Sequence, residues 1–132
     1  MTFEEAHRCM KRGDLVSLNR ALDDGLDANL ANRFSWTLLM LAAMEGNTPI
    51  GEALFAKGAA VNAVNNFGDT PLSLAAHAGH VKFARWLLSV GASTDARPHG
   101  HDMATWIKMG SGLPKDKLAE VLSLIGNKDH LH

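Results

Sequence analysis

The chain has 132 residues and a formal net charge of −1, with 13 basic residues against 14 acidic ones. This length suits a single domain, and the balanced charge gives no broad basic surface for a nucleic acid. Cys9 is the only cysteine, which excludes a disulfide bond within the chain. No stretch approaches the roughly 20 apolar residues of a membrane span, and the first residues lack the apolar core of a signal peptide. We therefore expect a soluble, cytoplasmic protein.

The first predicted element is a helix from about Phe3 to Arg12. Thr2 and Glu5 form a T-x-x-E capping box, in which each side chain bonds the backbone amide of the other residue. Apolar residues share one side of this helix, whereas Glu4 and His7 belong to the polar side. We expect the polar side to face outward, as at the end of a helical stack. A second helix is predicted over residues 15–23.

Two further helix pairs are predicted on the same plan. Thr37 precedes the first helix of one pair, and Asn47 with Pro49 opens its second helix. Gly51 in that second helix is a predicted weak point, worth up to about 1 kcal/mol relative to alanine. The inward residues of the same helix are predicted to be Ile50, Ala53, Leu54 and Phe55.

The next pair has the strongest local signals. Thr70 is a helix cap and Pro71 occupies the first helical position. Gly79 separates the two helices, and Gly91 ends the second.

The last pair departs from this pattern. Met103 and Ala104 stand where a Thr-Pro pair would begin the first helix, Asp102 takes the place of Asp69, and Trp106 replaces a serine. The final helix is predicted from Pro114 to Gly126, and residues 127–132 form a tail that we expect to be frayed.

The helix pairs repeat with a period of 33 residues. The period relates three glycines to one another, Gly25, Gly58 and Gly91. It also relates Gly13, Gly46 and Gly79, then Asn29, Asn62 and Asp95, then Thr37 and Thr70. A helix pair of this size cannot bury its own apolar surface, so copies must stack on one another.

With this period, the stretch GDTPLSLAAHAGH over residues 68–80, followed by LLSVGASTDAR over residues 87–97, resembles an ankyrin repeat. The resemblance implies an all-α solenoid with short β-hairpin fingers, built from about four repeats in one domain. The predicted boundaries are 1–32 for an N-terminal cap, 33–65, 66–98, and 99–126 for a C-terminal cap. The resemblance also implies that the protein binds other proteins. No Gly-rich phosphate loop, nucleophile elbow or paired-carboxylate signature is found, so we expect no enzyme activity.

Seven histidines invite a metal-site hypothesis. Neither a cysteine pair nor an H-E-x-x-H motif accompanies them, so we interpret them as turn and surface residues and predict no metal and no cofactor. His80 is interpreted as structural, while His99 and His101 are interpreted as alternative contact residues. Cys9 is interpreted as a small buried hydrophobe.

Candidate contact residues are those that the repeat template leaves free. They lie in the fingers and on the first helix of each pair. The predicted partner-binding residues are Arg33, Phe34, Trp36, Met44, Glu45, Phe67, Asp69, His77, His101 and Trp106.

The period also predicts how some of these residues are placed. Phe34 and Phe67 are expected on adjacent fingertips, either to contact a partner or to pack on each other. Asp69 and Asp102 occupy positions equivalent to Trp36, which predicts a solvated position. Trp106 is expected either to fill the cap or to extend the concave surface.

The leading functional hypothesis is a non-enzymatic module that grips a folded protein partner with its concave face and fingers. By resemblance, it would be a stoichiometric inhibitor or a bacterial immunity protein against a toxin or effector, monomeric on its own. Two alternatives stay open. One is a small-ligand or metal-dependent protein that uses its histidines and Cys9, and the other is a scaffold that self-associates through Trp86 or the irregular fourth repeat.

Overall fold

The computed structural model describes residues 1–126, so the predicted tail, with His130 and His132, lies outside the described residues. The described chain is a series of α-helices with short connections. They are α1 (Phe3–Lys11), α2 (Leu15–Asp23), α3 (Leu38–Glu45), α4 (Thr48–Ala56), α5 (Pro71–His77), α6 (Val81–Ser89), α7 (Met103–Gly110) and α8 (Lys115–Gly126).

The helices form two rows. Helices α1, α3, α5 and α7 contact their neighbours in one row, and α2, α4, α6 and α8 do so in the other. Small residues such as Ala42, Ala75 and Ala76 are fully buried and let the first row pack closely. Leu54, Phe83 and other large apolar side chains fill the space between the rows. This arrangement confirms the expected all-α stack of helix pairs.

Side-chain caps begin the first helix of every pair. Thr2, Thr37 and Thr70 each accept a hydrogen bond from the backbone amide three residues on, at 3.1, 3.2 and 3.2 Å. In α7 the Asp102 carboxylate replaces the threonine hydroxyl and accepts from the Thr105 amide at 2.8 Å. The fourth pair therefore keeps a well-formed first helix although its Thr-Pro signal is lost.

Asparagine side chains join each unit to the next. Asn29 donates to the carbonyl of Gly58 at 3.0 Å and accepts from the amide of Ala60 at 2.7 Å. Asn62 repeats this pattern one unit later, with Gly91 at 3.2 Å and Ser93 at 2.8 Å. The 33-residue period thus identifies residues that hold neighbouring units in register.

The fingers are the loops that enter α3, α5 and α7. Asn32 and Asn65 each brace a finger from within, because one side-chain oxygen accepts two backbone amides of the same loop. Within residues 1–126 the only strand pairing is an isolated bridge between Ala31 and Thr37, so the hairpin character of the fingers is slight. Adjacent fingers are also bonded directly, from the amide of Asn66 to the carbonyl of Phe34 at 3.0 Å.

Two predictions for the outer row are wrong. Phe55 was predicted to point inward, but it is 39% exposed and lies edge-on to Trp86, since Phe83 already fills the core beside α4. Gly51 is not a weak point, because a Cβ at this position would lie 2.7 Å from the Phe83 ring. The glycine lets α6 approach α4 closely. Cys9, in contrast, is 5% exposed, as predicted.

Candidate functional site

The concave face is the surface formed by α1, α3, α5, α7 and the fingers. Its N-terminal half contains a groove of about 440 Å³, which we call the α1 groove. One wall comes from α1, the other from the first finger and α3. The lining residues are Phe3, Glu4, His7, Asn32, Phe34, Trp36, Leu41 and Met44. Most of these side chains are apolar, so the groove suits an apolar side chain from a partner.

Three predicted contact residues meet in this groove, namely Phe34, Trp36 and Met44. Phe34 is 42% exposed and Met44 is 47% exposed, while Trp36 is half-buried. Asn32 holds the two aromatic residues in place by accepting hydrogen bonds from both of their amides, at 2.9 and 3.1 Å. The aromatic side chains are therefore presented by a braced loop.

Glu4 is exposed, as expected for the polar side of α1, and His7 is half-buried. Both residues line the α1 groove, opposite the first finger. A helical pattern shows which residues share a face, but it cannot show which face the next repeat leaves open. Phe3, Glu4, His7 and Leu41 are therefore candidate contact residues that the sequence did not identify. The only signal for them was their position on the first helix of a pair.

A continuous line of rings runs along the fingers into the C-terminal half of the concave face. We call it the ring row, and it consists of Phe34, Phe67, His99, Trp106 and His77. Successive ring centroids lie 6.3, 5.7, 4.3 and 5.3 Å apart. Such spacings are typical of stabilising aromatic contacts.

The ring row settles how Phe34 and Phe67 are placed. They lie on adjacent fingers, as predicted, and they pack on each other while Phe67 stays 45% exposed. The guanidinium of Arg33 lies 4.8 Å above the Phe34 ring, which places a cation at the N-terminal end of the row. His101 lies beside the row, its ring centroid 6.5 Å from that of Trp106.

The prediction that Asp69 is solvated is wrong. Asp69 is 4% exposed, and its carboxylate accepts a hydrogen bond from the Ser73 hydroxyl at 3.3 Å. Its second oxygen lies 3.6 Å from Nε2 of His99. The carboxylate turns inward because it finds both partners there, so Asp69 supports the ring row from behind and does not belong to an exposed rim.

The other predicted residues occupy different settings. Glu45 is exposed at the end of α3 and belongs to neither the α1 groove nor the ring row. His77 stacks on Trp106, and its Nε2 atom is buried with no hydrogen-bond partner among residues 1–126. Trp106 is half-buried within the ring row.

Hydrogen bonds lower the pKa of three carboxylates at helix starts. The hydrogen bond from the Thr105 amide holds the pKa of Asp102 below its ordinary value. Hydrogen bonds with Ser17 lower the pKa of Asp14, and hydrogen bonds with Thr2 lower the pKa of Glu5. These carboxylates stabilise helix starts.

Within the described part of the chain, no cluster of three or more His, Cys, Asp or Glu side chains is arranged to hold a metal ion. His80 has a structural contact, since its Nε2 donates to the carbonyl of Met44 at 2.9 Å. Cys9 receives a hydrogen bond from Arg12 at 3.5 Å. None of the helices in residues 1–126 is long and apolar enough to cross a membrane.

Comparison with protein families gives one match. A family model described as ankyrin repeats, in three copies, matches residues 6–98. The matched region begins within α1 and ends before α7, so it contains the rest of the first three helix pairs. No curated protein matches the chain significantly.

Proposed function

Because the chain belongs to the ankyrin repeat family, whose members are generally protein–protein interaction modules, we propose that it binds a folded protein partner through its concave face. Family members are typically not enzymes. The proposed contact surface consists of the α1 groove and the exposed edge of the ring row. Arg33, Glu45 and His101 flank this surface.

The α1 groove is the observation that carries this proposal. It joins an aromatic finger to an apolar helix surface, and hydrogen bonds from the backbone amides of Phe34 and Trp36 to Asn32 brace the backbone of that finger. Aromatic side chains are typical anchors of protein interfaces, and a braced loop loses less conformational entropy when a partner binds. The ring row extends the same face toward α7, which gives a partner a continuous surface.

Within this class, we propose a stoichiometric inhibitory role, such as that of an immunity protein against a bacterial toxin. If a partner occupied the groove and the ring row together, several repeats of this protein would cover part of the partner's surface. Such coverage blocks a partner by occupying its surface and requires no catalytic group on this chain.

Affinity capture from the native host tests the proposal. The unmodified protein should retain a discrete partner, and Trp36→Ala combined with Phe67→Ala should remove it. Loss of one anchor costs about 2 kcal/mol, which corresponds to about a 30-fold weaker complex. Phe55→Ala is the matched control, because it truncates an exposed aromatic side chain on the outer row. Retention of the partner by the folded double variant would refute the assigned surface.

A further inference from the structure

The α1 groove is a space of a kind that the chain fills with its own rings further along. In the C-terminal half of the concave face, the rings of Phe67, His99 and Trp106 contact one another in turn, with centroids 5.7 and 4.3 Å apart. Phe34 contacts Phe67 at 6.3 Å and also lines the groove. All of the lining side chains belong to residues 3–44, so no ring of the later repeats enters the groove. This space is therefore open to a side chain from a partner.

The apolar lining sets the first requirement on that side chain. Phe34 and Met44 are 42% and 47% exposed, and the half-buried rings of Phe3 and Trp36 lie in the same groove. Contact with an apolar group removes such surface from water, which is favourable. A groove of about 440 Å³ with this lining suits a bulky aliphatic or aromatic side chain.

Glu4 sets the second requirement. It is exposed, it is the only acidic residue that lines the groove, and neither lysine nor arginine lines it. The carboxylate of the neighbouring Glu5 accepts a hydrogen bond from the Thr2 amide at 2.9 Å. Glu4, in contrast, takes part in none of the ion pairs within residues 1–126. Its negative charge is therefore left for an ammonium or guanidinium group of a partner.

The other polar groups near the groove do not neutralise this charge. The guanidinium of Arg33 lies 4.8 Å above the ring of Phe34, whose face attracts it. Arg8 and Lys11 of α1 are exposed but do not line the groove, whereas His7 lines it and is half-buried. The net charge of the chain is only −1, so the long-range field is weak and the local carboxylate decides the preference.

We propose that the α1 groove recognises a segment of the partner protein in which a bulky apolar residue stands next to a lysine or arginine. The apolar side chain packs against Phe34, Trp36 and Met44, and the cationic group pairs with Glu4. The same carboxylate repels an acidic segment, which gives the groove a choice between partners. This inference rests on the proposed function, because it names the chemistry of the segment that the concave face receives.

Selection from a phage-displayed library of random dodecapeptides tests the preference without knowledge of the partner. The bait is the full chain, and Trp36→Ala serves as the bait that lacks one wall of the groove. Peptides enriched on the unsubstituted protein but not on Trp36→Ala should share a bulky apolar residue beside lysine or arginine. Enrichment of acidic residues at that place, of apolar residues without a charge preference, or of no sequence at all would overturn the proposal.

A charge reversal at Glu4 tests the ion pair with the most enriched peptide. Glu4→Gln should weaken its binding about threefold and Glu4→Lys about tenfold, as measured by fluorescence anisotropy, because an exposed attraction is first removed and then replaced by repulsion. Glu52→Lys is the matched control, since it makes the same change in net charge at an exposed residue of α4. Equal weakening by Glu4→Lys and Glu52→Lys would contradict the proposal.

A double-mutant cycle covers the case in which Glu4→Lys does not fold. The same peptide with glutamine in place of its basic residue should bind the unsubstituted protein about threefold more weakly than the original peptide. The two peptides should bind Glu4→Gln equally, because the carboxylate that tells them apart is gone. An undiminished difference in Glu4→Gln would overturn the proposal.

The partner captured from the native host separates this inference from the proposed function. Glu4→Lys should reduce the amount of captured partner, whereas Glu52→Lys should retain it. Full retention of the partner by folded Glu4→Lys would refute the specificity of the groove and leave the proposed function standing. Selected peptides with the expected pattern, but no captured partner, would refute the proposed function and leave the specificity of the groove standing.

Discussion

At the scale of single residues, His80 joins two repeats through a specific bond. Its Nε2 donates to the carbonyl of Met44 at 2.9 Å. Its ring packs against Gly46, where an added Cβ would lie only 2.5 Å from Nδ1 of His80. Gly46 has a positive φ of 71° and leaves room for the imidazole. The pair therefore holds α3 and α5 together at their C-terminal ends.

We predict that His80→Ala lowers the free energy of unfolding by about 1 to 2 kcal/mol, because a carbonyl loses its partner and a gap opens beside Gly46. Urea denaturation measures the change. His101→Ala is the control and should alter stability less, since no repeat-to-repeat bond depends on it. Equal effects of the two variants would contradict the assigned role.

Gly51 gives a second prediction at this scale. Alanine normally stabilises a helix relative to glycine by about 1 kcal/mol. At position 51, however, the new Cβ would meet Phe83 at 2.7 Å and Trp86 at 3.1 Å. We expect Gly51→Ala to destabilise the protein by about 1 to 3 kcal/mol through overpacking, as measured by urea denaturation. A stabilising effect would show that α4 and α6 separate easily.

At the scale of elements, the asparagine bridges determine how units are coupled. Asn62 makes two hydrogen bonds to the next unit. Asp95 occupies the equivalent position 33 residues later, in the loop between α6 and α7. We predict that Asn62→Ala costs about 1 kcal/mol, because its bonds are exposed to solvent. Asp95→Ala should change stability by less than about 0.5 kcal/mol. Thermal unfolding compares the two, and a larger loss for Asp95→Ala would contradict this account.

The start of α7 gives a prediction about pH. The pKa of Asp102 is lowered by the hydrogen bond from the Thr105 amide, so the folded state favours the ionised carboxylate. This contribution is present above the ordinary carboxyl range and is lost as the pH falls below about 4. Asp102→Asn keeps a capping oxygen without a charge. Its midpoint of thermal unfolding should therefore approach that of the parent as the pH is lowered from 7 to 3. A constant difference over that range would contradict the prediction.

The sequence predicts the elements better than it predicts the site. Threonine caps, helix-ending glycines and the 33-residue period are local signals, and each recurs at the predicted place. The direction of Glu4, His7 and Asp69 depends on what the neighbouring unit offers. The carboxylate of Asp69 is buried because Ser73 and His99 are both within reach, and the second of these lies 30 residues further along the chain.

At the scale of the whole molecule, the two rows of helices divide the structure between stability and recognition. Both rows contribute large buried side chains to the core, such as Leu72 from α5 and Phe83 from α6. The concave face carries exposed aromatic side chains, such as Phe34 and Phe67. The packing of one repeat on the next does not explain their exposure. Substitutions of these exposed side chains should therefore abolish partner binding while the helices stay folded.

Site-specific photo-crosslinking in the native host tests this central claim most directly. A benzophenone amino acid would replace Arg33 or Met44 on the concave face, and Val16 or Lys82 on the outer row, all of which are exposed. We predict one common partner adduct from positions 33 and 44 and none from positions 16 and 82. Adducts confined to the outer row, or equal adducts from all four positions, would contradict recognition through the concave face.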